Sequence, residues 1–485
     1  MKKILAVILS LCMIFALAAC GQKAESSAAE APAESKEEAA PAESKEEAAP
    51  AEESKEEAPA EEAKEEEPAE EAKEESAAEA PAEEEHEKVT IDAYLVATEW
   101  GDAFEEIEKK FEEKYPWVDV VGISRGGGNS TMDLAAEAAA GTLPDLIPGD
   151  NNELCTTLVK DGHIEDFSQF ACSEQIPQAY KDAFMIDGTL LAETYGAAFS
   201  CMFYNMQILN EAGWDHAPEN WQELIQCCAD VKEKTGVAPF TVAAGKTTTS
   251  WMLFELLIAN VCGEELGQGV YEEAFKKGTF EFNAYPGIVE RFNQLQPYFL
   301  EGSSTYNEDD VTAAMTDGLA AICLAGNWNG KAILEGIEEC TGDANLAAAS
   351  LPCFQDEGKT RWISATAETG MAVTKDPNRS EDEKEAIDLF VNFFWDPEQY
   401  RIIQNTAGNV PVIPMPDGYV VLAPQMTPLV SEMGSSPFVT MGFNLWSTEF
   451  KDAANRDIQD CMSGHLDMQT AVDRMTELVK TSHKE

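Results

Sequence analysis

Basic charge is scarce in this chain: 33 Lys and Arg stand against 90 Asp and Glu in 485 residues, a formal net charge of -57. Phosphate contacts need clustered Lys and Arg to release counterions, so a nucleic-acid partner is not expected. Histidine is scarcer still. The five residues, at 86, 163, 216, 465 and 483, form no HExxH and no paired-ligand spacing, so neither a metal nor any other cofactor is expected. No CxxC pair and no G-x-S-x-G elbow occurs. Gly245-Lys246-Thr247 resembles the end of a phosphate loop, but position 240 is Phe where that loop needs Gly. Gly126, Gly127 and Gly128 lack the dinucleotide spacing. After residue 20 no run reaches about 18 uninterrupted apolar residues, so no spanning helix is expected there.

What is present begins with Lys2, Lys3 and an apolar run from Ile4 to Ala19, which has the charged start and short hydrophobic stretch of a secretory signal. The run closes on Leu17-Ala18-Ala19-Cys20, similar to the lipobox of bacterial lipoproteins. That resemblance implies removal of residues 1–19 and lipid on Cys20. Residues 21–88 then carry 26 Glu and 7 Lys. A nine-residue unit, APAESKEEA, occurs at 31–39 and 40–48, and with one added Glu at 49–58. With no aromatic or branched apolar side chain this segment has nothing to bury against the loss of chain entropy, so residues 20–88 are expected to be a disordered acidic tether. At about 3.3 Å per residue it reaches at most on the order of 200 Å.

The remaining 397 residues look globular: 44% of the whole chain is apolar. Val89 to Ala97 reads as a strand. Phe104, Ile107, Phe111 and Tyr115 follow at helical spacing, then 118–123 as a second strand and 132–140 as a helix. Such alternation predicts a parallel α/β sheet with ligands at the loops beyond the strand ends. The length exceeds what one core usually supports, so two lobes are expected. Ten cysteines, at 155, 172, 201, 227, 228, 262, 323, 340, 353 and 461, read mainly as small buried side chains, with one or two disulfides left open.

An ordered set of motifs carries a family resemblance. GTLPDL at 141–146, FYNMQILNEAG at 203–213, PENWQEL at 218–224, AGNW at 325–328 and TGMAVTK at 369–375 appear in the order found in extracellular solute-binding proteins of the sugar-binding type. These are lipid-anchored receptors of ABC importers in Gram-positive bacteria, similar to maltose-binding protein. The resemblance implies a type II periplasmic-binding-protein-like fold with two discontinuous lobes, 89–198 with 368–409 and 199–367 with 410–485. It implies chain crossings at 198–201, 365–368 and 409–412, and a hinge that closes on solute. It further implies a monomer held at the outer face of the cytoplasmic membrane that passes solute to ABC permease subunits.

A sugar offers hydroxyl edges and apolar C–H faces, so a sugar cleft needs aromatic plates with amides and carboxylates beside them. Trp328, beside Asn327 in a Gly-Asn-Trp-Asn-Gly loop, is the first candidate, because the family stacks ligand on a Trp there. Asn327 itself departs from the small residue or Pro frequent at that position. Glu99 and Trp100 follow the first strand, Arg125 the second, and Asp150, Asn151 and Asn152 the third; Trp251 opens an apolar run and Trp446 stands in a late aromatic cluster. Tyr204, Trp117, Trp214, Trp221 and Trp395 read as packing residues. Two rival classes remain: a receptor for a cationic solute or peptide, suggested by the acid content, and a surface carbohydrate hydrolase, since 64 acids in 89–485 always permit a carboxylate pair.

Overall fold

A computed structural model describes residues 86–485 apart from 96–100, 124–129, 151, 246–249, 368, 421 and 483–485; the side chains of Trp251, Phe443 and Asn444 also fall outside it. Cys20 and the acidic segment up to residue 85 are thus outside the described residues. No helix among the described residues is long and apolar enough to cross a membrane.

Local pattern explains the first elements. In β1 (Val89–Ala93) Val89, Ile91 and Ala93 are buried while Thr90 and Asp92 are exposed, the two-residue alternation of a half-covered strand. The helix Gly101–Lys114 buries Phe104, Ile107 and Phe111 on one stripe, and Phe111 meets the edge of Phe390 at 5.0 Å between ring centroids. Further strands are β2 (Val118–Gly122), β3 (Leu146–Gly149), a small hairpin β4 (Met185–Ile186) with β5 (Thr189–Leu190), β6 (Glu193–Thr194) and β7 (Ala197–Asn205). They are followed by β8 (Ala238–Val242), β9 (Ala320–Gly326), β10 (Ala347–Ser350), β11 (Ile363–Ala367), β12 (Gly370–Val373) and β13 (Phe438–Thr440).

Two sheets organise the lobes. The first has the order β2-β1-β3-β12-β6; the second has β13-β11-β7-β9-β8, with β10 added beside β7. The expected parallel sheet holds for β1, β2 and β3, whereas β12 runs antiparallel to β3 and β6, and β7 runs antiparallel to β9, β10 and β11. The reason is topological. β7 and β12 are the strands by which the chain arrives from the other lobe, so they point away from it while their neighbours point towards it.

In β7 and β9 every residue is buried, because helices pack on both faces. Along β7, Ala198, Met202 and Tyr204 join one core, while Ala197, Phe199, Cys201 and Phe203 join another. The first sheet has its own core, including Ile91, Leu146, Phe390 and Trp395. Tyr204, Trp395 and Trp221 are buried, as expected for packing residues.

The lobes hand over at Tyr195-Gly196, between Ala367 and Gly370, and around Val410. The first lies ahead of 198–201, because β7 already pairs with β11 from Ala197 onward. These segments bond to one another: Tyr195 N–H donates to Thr369 O at 3.0 Å and Ala197 N–H to Val410 O at 3.0 Å. The Tyr195 carbonyl accepts from Tyr400 Oη at 2.7 Å and Gln404 Nε2 at 2.8 Å. All ten cysteines of the described region are free thiols, nine of them buried, so the disulfides left open by the sequence are not formed.

Candidate functional site

Strand direction decides which loops face the other lobe. β6 leads directly into the first crossing, and because β6 and β3 are both antiparallel to β12, the carboxyl ends of β3, β1 and β2 lie on that same side. In the second sheet β11 leads into a crossing, and β13, β9 and β8 run with it. Ligands in open α/β sheets gather at carboxyl strand ends. The candidates from the sequence all follow such ends in the chain: Glu99 and Trp100 after β1, Arg125 after β2, Asp150, Asn151 and Asn152 after β3, Trp251 after β8, Asn327 and Trp328 after β9, and Trp446 after β13. Glu99, Trp100, Arg125 and Asn151 lie outside the described residues, as does the side chain of Trp251.

Trp328 is half-buried and rests partly on the core of the second lobe. Its ring folds back over Gly326, where a Cβ would come within 2.3 Å of the indole; glycine is needed there for this close approach. Nε1–H donates to Glu308 Oε1 at 2.8 Å, so the polar edge of the indole is held by the helix Glu308–Thr316. Glu308 carries no motif that a sequence reading could detect. Across from this lobe, half-buried Asp150 follows β3, and Asn152 caps the helix Glu153–Lys160 by accepting from Cys155 N–H at 2.9 Å. That bond occupies the Asn152 carbonyl.

Lys451, in the helix Thr448–Met462 of the second lobe, is half-buried, and the carboxylates that act on its charge are Asp150 and Glu153 of the first lobe and Asp452 beside it. Burial lowers the affinity of its amine for the proton, and those carboxylates act in the opposite direction. Its position in an ordinary amphipathic helix gave no signal in the sequence.

Two candidates are corrected by burial. Trp446 is 2% exposed, donates Nε1–H to Tyr271 Oη at 2.9 Å and sits edge-on to Phe450 at 4.8 Å, so its faces are committed to the core. Gly442 permits this, because a Cβ there would lie 2.6 Å from the indole. Asn327 is fully buried: Oδ1 accepts from Phe199 N–H at 2.8 Å and Nδ2 donates to Ala197 O at 3.0 Å. β9 ends at Gly326 opposite Ser200, and the Asn327 amide continues the ladder along β7 where no strand remains. This accounts for an amide at a position where the sequence-level resemblance expects a small residue or Pro.

A family model for bacterial extracellular solute-binding proteins matches residues 96–421, two thirds of the chain and every strand of both sheets except β1 and β13. The chain belongs to that family. Among relatives of this solute-binding protein, the sn-glycerol-3-phosphate-binding periplasmic protein UgpB of Rhizobium meliloti (strain 1021) is 23% identical over 405 residues, covering 78% of this chain and 89% of that protein. Three solved structures share the fold. A chitin oligosaccharide binding protein superposes with a TM-score of 0.67 at 19% identity, covering 81% of this chain and 98% of that one. The binding protein RafE in complex with raffinose gives 0.65 at 17%, covering 81% and 100%. A sugar transporter protein from Bacillus licheniformis in complex with stachyose gives 0.63 at 16%, covering 80% and 98%. At carboxyl strand ends this solute-binding protein thus presents a half-open indole held by Glu308 in one lobe, and Asp150 with Asn152 in the other.

Proposed function

We propose that the chain is a cell-surface receptor of an ABC importer that captures a carbohydrate, an oligosaccharide or sugar derivative, between its lobes and passes it intact to membrane permease subunits. The observation that carries the carbohydrate reading is Trp328: a half-open indole at a carboxyl strand end, its edge fixed by Glu308, offers a flat apolar plate beside hydrogen-bonding groups. The raffinose, stachyose and chitin oligosaccharide named for the structural neighbours support the same class. The name of UgpB points instead to sn-glycerol-3-phosphate, a small anion. Asp150, Glu153 and Glu308 outnumber Lys451 among the groups described above, and that balance favours a neutral polyol over a phosphate. Anchoring through lipid on Cys20 completes the reading, with a monomeric receptor on the outer face of the cytoplasmic membrane of a Gram-positive cell.

Calorimetric titration with raffinose, stachyose, chitin oligosaccharides and sn-glycerol-3-phosphate tests the solute class. Binding of at least one saccharide, recovered uncleaved, is expected. Binding of the phosphate alone would overturn the carbohydrate reading, and recovery of fragments would establish a hydrolase. For the anchor, Cys20→Ala is expected to release the protein from the membrane fraction; retention without lipid labelling would refute it.

A further inference from the structure

Three residues that lie far apart in sequence meet at the start of the folded region. His86 stands three residues before β1, and Asp382 and Glu385 sit one turn apart on the helix Glu381–Phe394. His86 Nδ1 is 3.1 Å from Asp382 Oδ1 and 3.9 Å from Glu385 Oε2, and the three ligand atoms all lie within 4.8 Å of one another. The imidazole is fixed from behind by stacking on Trp117, with ring centroids 4.1 Å apart and planes 10° from parallel. Asp382 is fixed too, because its other oxygen accepts Glu87 N–H at 3.0 Å.

Of the two carboxylates, only Asp382 stands within hydrogen-bond distance of Nδ1; Glu385, at 3.9 Å, lies beyond it and brings a second carboxylate to the same nitrogen without bonding to it. Two ligands at about 2.1 Å from a single ion lie about 3.0 Å apart at a right angle and about 3.4 Å at the tetrahedral angle, which brackets the His86–Asp382 separation and falls short of the His86–Glu385 separation by about half an ångström. The three atoms lie within 4.8 Å of one another, wider than ligands of one ion, and Glu385 is the most exposed of the three, so its side chain can close the remaining gap of about an ångström at the surface.

We propose that His86, Asp382 and Glu385 form a divalent-metal site that clasps the chain at the start of β1 to the helix Glu381–Phe394. One imidazole nitrogen with two carboxylate oxygens is a borderline donor set, suited to Zn2+ ahead of Ca2+ or Mg2+, which take oxygen alone. The site is separate from the interlobe residues, so its role is to fasten the first lobe. The spacing of histidines along the sequence could not reveal it, since 296 residues separate His86 from Asp382.

Zn2+ titration of the full chain by calorimetry, beside His86→Ala and Asp382→Asn, tests the site, with Co2+ absorption reporting ligand geometry. The acid-rich segment is common to all three proteins, so the difference isolates the site. Wild type is expected to bind one more equivalent than the variants, or to bind its tightest equivalent at least ten-fold more tightly, and Zn2+ is expected to raise the melting temperature of wild type alone. Identical stoichiometry and affinity in all three would overturn the proposal, as would a lower metal-free melting temperature in His86→Ala with no change in Zn2+ binding, which would leave His86 as a hydrogen-bonded staple. If His86→Ala fails to fold, Glu385→Gln replaces it, because that side chain is exposed.

Discussion

Asn327→Ala probes the joint between the lobes. The side chain is fully buried, and both ends of its amide bond to β7 backbone. Alanine withdraws both partners and leaves Phe199 N–H and Ala197 C=O without them. An orphaned buried polar group costs about 1–3 kcal/mol, so the pair predicts a loss of roughly 2–6 kcal/mol in folding stability. Urea unfolding followed by tryptophan fluorescence measures this, with an unchanged slope showing that the same surface is exposed. Asn327→Asp sharpens the test. It keeps an acceptor for Phe199 but sets a carboxylate against the Ala197 carbonyl, so its stability should recover as the pH falls and the acid can donate. A stability within about 0.5 kcal/mol of wild type, accompanied by weakened solute binding, would refute the reasoning and return Asn327 to the ligand.

Trp328→Ala should weaken saccharide binding by about 30- to 1000-fold, the equivalent of roughly 2–4 kcal/mol at a buried anchor, with a smaller loss of stability; a collapsed melting curve with normal affinity would assign the residue to the core. Glu193 is fully buried, neither carboxyl oxygen has a hydrogen-bond partner, and burial lifts its pKa to about 8 against the opposing pull of Lys181. The folded state therefore holds a proton that the unfolded chain loses, so this contribution is complete below the ordinary carboxyl range and is lost as the pH rises towards 8. Stability should fall by up to about 1.4 kcal/mol per pH unit across that window in wild type and more gently in Glu193→Gln; equal slopes would contradict the assignment. Alkylation of the native protein should modify Cys340 before any other thiol of the described region, since burial encloses the rest and pushes, for example, Cys172 and Cys353 up to about 12. Rapid labelling of a second thiol there would show that the core opens.

Local periodicity made much of the scaffold legible. Phe104, Ile107 and Phe111 mark a helix because they share one stripe, whereas the run through 199–204 reads in sequence only as the neighbourhood of a crossing and is in fact a strand covered on both faces. The direction of β7 and β12 was less readable, since it depends on which lobe the chain arrives from. At the site, a tryptophan after a strand looks the same in sequence whether it faces solvent or turns inward. Trp328 is kept half-open above Gly326, whereas Trp446 packs over Gly442 into a ring cluster with Phe275 and Phe450. Asn327, a ligand candidate by its place in the sequence, is committed instead to two backbone groups of β7. Lys451, Glu308 and the His86 cluster act through neighbours distant in the chain, which no spacing rule encodes.

X-ray scattering of the protein with and without a bound saccharide tests interlobe capture most directly. Hinge closure onto the solute predicts a smaller radius of gyration for the folded region at saturation, a change that Trp328→Ala shows only at correspondingly higher ligand concentration. Tight saccharide binding with superimposable scattering curves would contradict the account, because the solute would then be held without bringing the lobes together.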